Sequence, residues 1–90
     1  MRVISQDGTL DFPYEMSTIF IHGRIENAIA IEPVGDSEVS IIGRYSSEEK
    51  ATKAMGMLRE AWINEAIGFT HGIYHRNIIF QFPQDDEIEV

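Results

Sequence analysis

Apolar positions recur with a helical period in one long stretch, Ser46 to Gly68. Ala51, Ala54, Met55, Leu58, Ala61, Trp62 and Ala66 fall on a single face at three- and four-residue steps. Ser46 is placed to cap the first turn, with Glu49 three residues on to complete a capping box. Glu48 and Glu49 sit at the positive end of the helix dipole. Gly68 supplies a residue of the type that commonly ends a helix in the left-handed conformation. A helix of about 20 residues is about 30 Å long, enough to span a small domain, so the other segments are expected to lie over its apolar stripe.

Elsewhere the pattern is that of strands. Met1 to Ser5 reads as a short strand, and Asp7-Gly8 as a tight turn. Thr9 to Phe12 can pair back, and Pro13 marks FPYE as an edge or bend. Ser17 to Gly23, STIFIHG, is β-branched and aromatic, with Ile19 and Ile21 on one side and Phe20 and His22 on the other. Arg24 to Asn27 is a hairpin connection and Ala28 to Glu32 a second strand. Pro33 to Ser37 is a loop by composition. Glu38 to Tyr45 is a further strand, with Val39 and Ile41 on one face and Ile42 on the other. After the helix comes FTHGIYHRN, the least regular stretch, followed by the strand Asn77 to Phe82. This order predicts an α+β fold: an antiparallel meander packed on one long helix, with a final strand after it.

Ninety residues make one domain. Its bounds are expected at residues 1–84, with QDDEIEV closing the chain and residues 85–90 forming a solvated acidic tail. Gly56 lies inside the helix at a propensity cost of about 1 kcal/mol relative to alanine. Either another backbone approaches it, such as the same helix of a second copy, or it is a tolerated surface glycine. A domain this small has a modest core, so a homo-oligomer is expected.

The formal charge is −8, from 15 acidic and 7 basic residues. That argues against binding to polymeric nucleic acid or to an anionic membrane. The chain has no cysteine, which excludes disulfides and thiolate chemistry. No apolar run approaches the roughly 18 residues of a membrane span, and MRVISQDG lacks the apolar core of a signal peptide. A soluble protein of the cytoplasm is the expectation.

No nucleotide-binding glycine loop, catalytic acid/base pair or nucleophile constellation is visible, and no cofactor is implied. Glu15 and Glu26 read as surface carboxylates. His71 and His75 have the spacing of a helical metal pair, but Gly72 and the β-branched and aromatic neighbours argue against a helix there, so no metal site is expected. The cations are more informative. Arg24 follows a strand, Arg44 precedes Tyr45 at a strand end, and Arg76 lies close to Tyr74. Arginine forks two hydrogen bonds to a phosphate, and an aromatic ring stacks on a base. Arg24, Arg44, Tyr45, Tyr74 and Arg76 are therefore the candidate ligand-binding residues for a small anionic nucleotide. The competing reading makes the arginines surface ion-pair partners and the rings core; Trp62 and Phe80 are read as core in either case.

MRVISQDGTLDFPYE, YSSEEKATKAMGMLREAW and FQFPQDDEIEV together resemble a group of small proteins from prophages and mobile elements of Firmicutes. The group looks like the anti-Thoeris sponge proteins of phages. The resemblance implies a sheet-plus-helix protein of the host cytoplasm that oligomerises and binds ligand between subunits. It would sequester a cyclic ADP-ribose-type immune signal without cleaving it. A direct inhibitor of a host defence protein, using the acidic surface, is the alternative, and an enzyme acting on a small nucleotide is a third reading. The resemblance assigns no binding residue; the candidate set above rests on side-chain chemistry.

Overall fold

The computed structural model describes residues 1–70 and 79–90, and for residues 66–70 the backbone alone. It is an α+β fold with a final strand after the helix. Among the described residues, the strands form two sheets of three.

The first sheet is built around β1, Arg2–Ile4. The chain turns at Asp7-Gly8, where Gly8 takes φ +78°, a conformation that costs glycine little. The Asp7 carboxylate accepts bonds from Ser5 Oγ at 2.7 Å, Thr9 N–H at 3.0 Å and Thr9 Oγ1 at 2.7 Å. These donors, led by the Thr9 hydroxyl, pull its pKa down to about 2. β2, Asp11–Pro13, then pairs antiparallel with β1, with Phe12 opposite Val3. Pro13 closes this edge strand, where a missing N–H is tolerated. The far side of β1 receives β6, Ile79–Gln81, in parallel, with Phe80 opposite Val3. The expected strand began at Asn77; residues 77 and 78 lie outside the described residues.

The second sheet is the antiparallel meander. It comprises β3, Ser17–Ile21, β4, Ala28–Pro33, and β5, Ser40–Arg44, with β4 central. Ala28, Ile29, Ala30 and Ile31 of β4 are fully buried. The β3–β4 connection is held by His22, whose Nδ1 accepts the N–H groups of Arg24 and Ile25, each at 3.0 Å. In β5 the register shifts: Ala30 faces Ile41 while Ile29 faces Gly43. Ile42 is the extra residue of this bulge and is buried, while Val39 and Ile41 stay partly exposed. Gly43 belongs here because a Cβ would lie 3.3 Å from the Tyr45 ring.

The helix α1 runs Glu48–Thr70. Ala51, Ala54, Met55 and Leu58 are buried as the period predicts, and they join Ile29, Ile31, Ile42 and Val3 in one core. Ala61 and Trp62 are half-buried. The ends differ from expectation. The cap is Ser47, whose Oγ accepts the Lys50 N–H at 3.2 Å. Ser46 instead gives its N–H and hydroxyl to Asp85, at 2.7 and 3.0 Å. Lys50, not Glu49, therefore stands three residues after the cap, and there is no capping box with Glu49. The helix also continues past Gly68. Glycine permits the left-handed terminator without imposing it, and its interior cost of about 1 kcal/mol is small beside a continuous ladder of helical hydrogen bonds.

The C-terminal segment is a second correction. Residues 85–90 are not a solvated tail. Asp85–Glu87 form a 3-10 turn, and Ile88 is 4% exposed within the core. The Lys50 ammonium donates to the Asp85 carbonyl at 2.8 Å and its carboxylate at 3.2 Å, and the Lys53 ammonium to the Glu89 carbonyl. The Ser46 N–H above all, with the Ser46 hydroxyl and Lys50, holds the Asp85 carboxyl below its usual range.

Gln6 ties the sheets to this segment. Its N–H donates to the Ile42 carbonyl at 2.7 Å, and its side-chain oxygen accepts the Arg44 N–H at 2.9 Å. Its own carbonyl accepts from the Gln84 amide at 2.6 Å.

Gly56 is exposed, and a Cβ there would meet nothing within 4 Å. Gly56→Ala should therefore stabilise the fold by about 1 kcal/mol. That corresponds to a rise in melting temperature of roughly 4–8 °C for a domain of this size. A fall in melting temperature would mean that a second backbone does pack on this glycine.

Candidate functional site

The candidate residues named from the sequence do not come together in one place. Arg24 is exposed in the β3–β4 connection. Arg44 is exposed at the end of β5 and borders a shallow recess of about 190 Å³ with Gln6, Asp7, Ile41, Ile42 and Gly43, a lining that does not include Arg24. Tyr45 is a core residue. It is 5% exposed and its hydroxyl donates to the Pro83 carbonyl at 2.8 Å, so its ring has no open face for a base. Burial, with Asp85 and Glu87 nearby, pushes its phenol pKa up. Tyr74 and Arg76 lie outside the described residues, as do His71 and His75. Among the described residues, no group of three or more His, Cys, Asp or Glu side chains could hold a metal ion, and no helix is long and apolar enough to cross a membrane.

A larger cleft lies elsewhere, between α1 and the start of β3. It has a volume of about 440 Å³ and is lined by Tyr14, Glu15, Ser17, Ile19, Met55, Leu58, Arg59 and Trp62. Its walls follow from local sequence. Pro13 ends β2 in extended geometry, and the 3-10 turn Tyr14–Met16 follows at once, placing Tyr14 and Glu15 at the rim. Met55, Arg59 and Trp62 are spaced i, i+4, i+7, so one flank of the helix presents all three. Ser17 and Ile19 come from alternate positions of β3, on the side facing the helix.

The chemistry of this cleft is mixed. The Tyr14 and Trp62 rings are 4.9 Å apart between centroids and inclined at 33°, within the range of attractive aromatic pairs. Trp62 is half-buried, so part of the ring is accessible. Arg59 is exposed, and among the described residues it has no ion-pair partner. Glu15 accepts from the Met1 ammonium at 2.7 Å, and that bond holds its carboxyl below the usual range. Glu65 lies 3.7 Å from the same ammonium. The cleft therefore combines an aromatic wall, an aliphatic floor of Ile19, Met55 and Leu58, an exposed guanidinium and a carboxylate already engaged.

Arg59 and Trp62 were available to sequence reasoning. Their separation of three, on the flank of the apolar stripe, marks an arginine and a ring on one helix face. The partner ring was not legible, because no local pattern pairs Tyr14 with Trp62. No protein-family model, curated protein or solved structure matches this chain.

Proposed function

We propose that this protein is a non-covalent binder of a small anionic nucleotide, held in the cleft between α1 and β3. One observation carries the reading: a tilted aromatic pair and an arginine with no ion-pair partner among the described residues share a single cleft of about 440 Å³. Ligand pockets commonly span about 300–1,000 Å³. The base stacks on the accessible part of the Trp62–Tyr14 wall, and Arg59 forks to a phosphate. Together with the resemblance to phage sponge proteins, this makes a cyclic ADP-ribose-type immune signal the first ligand class to test, with sequestration as the activity. The alternative, a direct inhibitor of a host defence protein, has less support, because Asp85 of the acidic segment is committed to Ser46 and Lys50.

Calorimetry against cyclic ADP-ribose isomers and cyclic dinucleotides is the test. Trp62 is the chain's one tryptophan, so its fluorescence reports occupancy of the cleft directly. Arg59→Ala should weaken binding by roughly 1.5–3 kcal/mol, the scale of a hydrogen bond to a charged group, or about 10- to 150-fold. The ligand should be recovered chemically unchanged after denaturation. No heat with any of these ligands, or an Arg59→Ala variant that binds as tightly as the parent, rejects the reading.

A further inference from the structure

The edges of the two sheets are not treated alike. β2 carries Pro13, and its Asp11 pairs with Arg2 at 2.8 Å. β5 has the Gln6 backbone and side chain bonded along it. β6 is three residues long. β3 has none of these protections. Ser17–Ile21, STIFI, has no charge, no proline and no bulge, the devices by which natural sheets block pairing with another chain.

The direction of its free backbone groups follows from the ladder. His22 N–H donates to Ala28 C=O and Val34 N–H to Met16 C=O. In an antiparallel pair the bonded positions alternate, so Thr18 and Phe20 bond to β4. The backbone groups of Ser17, Ile19 and Ile21 point away from β4, to an edge with no paired strand among the described residues. Ser17 N–H is taken by Tyr14 C=O in the preceding 3-10 turn. Among the described residues, the outward N–H and C=O groups of Ile19 and Ile21 have no backbone partner.

We infer that β3 is a self-pairing edge that takes β3 of a second copy of this chain, antiparallel and centred on Ile19. The register is self-complementary. Ile19 exchanges both bonds with Ile19 of the second copy, and Ile21 N–H donates to the Ser17 carbonyl across the pair. Centring on Ile19 overlaps the whole strand, which no other symmetric register does. Charge favours the same surface. Each copy carries a formal charge of −8, so two copies meet most easily along a strip with no charged side chain. Ile21 is 42% exposed in the single chain and gains a cross-strand neighbour. The two-fold axis runs perpendicular to the sheet, which leaves both helices on one face. The pairing uses the backbone edge of β3, whose Ser17 and Ile19 also line the neighbouring cleft, and it uses a different surface from the helix face of Gly56.

Light scattering over a concentration series, paired with residue-resolved amide exchange, tests the assignment. The unmodified protein should reach a dimer mass, and the Ile19 and Ile21 amides should be protected alongside those of Thr18 and Phe20. Ile21→Lys places a charge at the edge, and Ile21→Pro removes an outward N–H without touching a bond to β4. Each should weaken self-association roughly tenfold or more, with a folded circular dichroism spectrum. Ile21→Lys keeps the test valid if the proline strains the strand. A monomer mass at every concentration overturns the inference. So does a dimer in which the Ile19 and Ile21 amides exchange freely while those of Thr18 and Phe20 do not, since that places the contact elsewhere.

Discussion

Truncation after Gln84 should lower the melting temperature substantially rather than leave the fold intact. The deleted residues include Ile88, which is 4% exposed and part of the core cluster with Phe82, Tyr45 and the helix stripe. Removing a buried aliphatic side chain of this size costs roughly 2–5 kcal/mol. Domain stabilities are on the order of 5–15 kcal/mol, so a large share of the total is at stake. The charged contacts matter less. The Lys50–Asp85 pair is 3.2 Å apart with Asp85 40% exposed, and solvent screens exposed pairs of this kind so that they add little. Ile88→Ala should therefore reproduce most of the loss, and Asp85→Asn only a small part. At roughly 4–8 °C per kcal/mol, thermal melting by circular dichroism should fall by at least about 8 °C for the truncation. An unchanged melting temperature would show that the segment contributes nothing despite its burial.

The docking of this segment runs against its composition for a physical reason. Asp85, Asp86, Glu87 and Glu89 dominate QDDEIEV, and clustered acids predict solvation. Charge density, however, says nothing about a single apolar residue inside the cluster. Ile88 docks because β6 delivers the chain alongside β1, beside the start of α1, where Ser46 and Lys50 can receive Asp85. That arrangement depends on contacts between residues 35 to 39 positions apart in sequence, which no local pattern encodes. By contrast, the helix, the β3–β4–β5 meander and the strand after the helix were all legible, because a period or an alternation is a local signal. The division into two sheets was not, since pairing of β1 with β6 joins the two ends of the chain.

The candidate site divides in the same way. Residue chemistry pointed to arginines beside aromatics, and Arg44 with Tyr45 looked like such a pair. Arg44 ends β5 and Tyr45 follows it directly, and neighbouring residues at a strand end point to opposite sides. Tyr45 faces the core, and Arg44 faces solvent. On a helix, residues three apart share a flank. Arg59 and Trp62 therefore reach one cleft, where Tyr14 meets them.

Leu58→Ala should be the most damaging single substitution on α1. Leu58 is 1% exposed and sits in the core with Ile29, Ile31 and Ile42. The expected cost is roughly 2–5 kcal/mol, the lost transfer energy plus the cavity left behind. Ile63 lies on the same helix at 53% exposure, and Ile63→Ala should change stability by no more than about 0.5 kcal/mol. The two substitutions remove similar numbers of methyl groups from one element, so their difference isolates burial from helix propensity. Alanine is if anything the better helix former, which makes any loss at position 58 a packing loss. The predicted outcome is a fall in melting temperature of at least about 8 °C for Leu58→Ala and almost none for Ile63→Ala. Leu58 also borders the cleft with Met55 and Arg59, so under the proposed function Leu58→Ala should lose ligand binding together with its fold, whereas Arg59→Ala should weaken binding and keep the fold. Equal stability losses at positions 58 and 63 would show that the helix is not seated on its Ala51, Ala54, Met55 and Leu58 stripe, and the cleft between α1 and β3 would lose its wall.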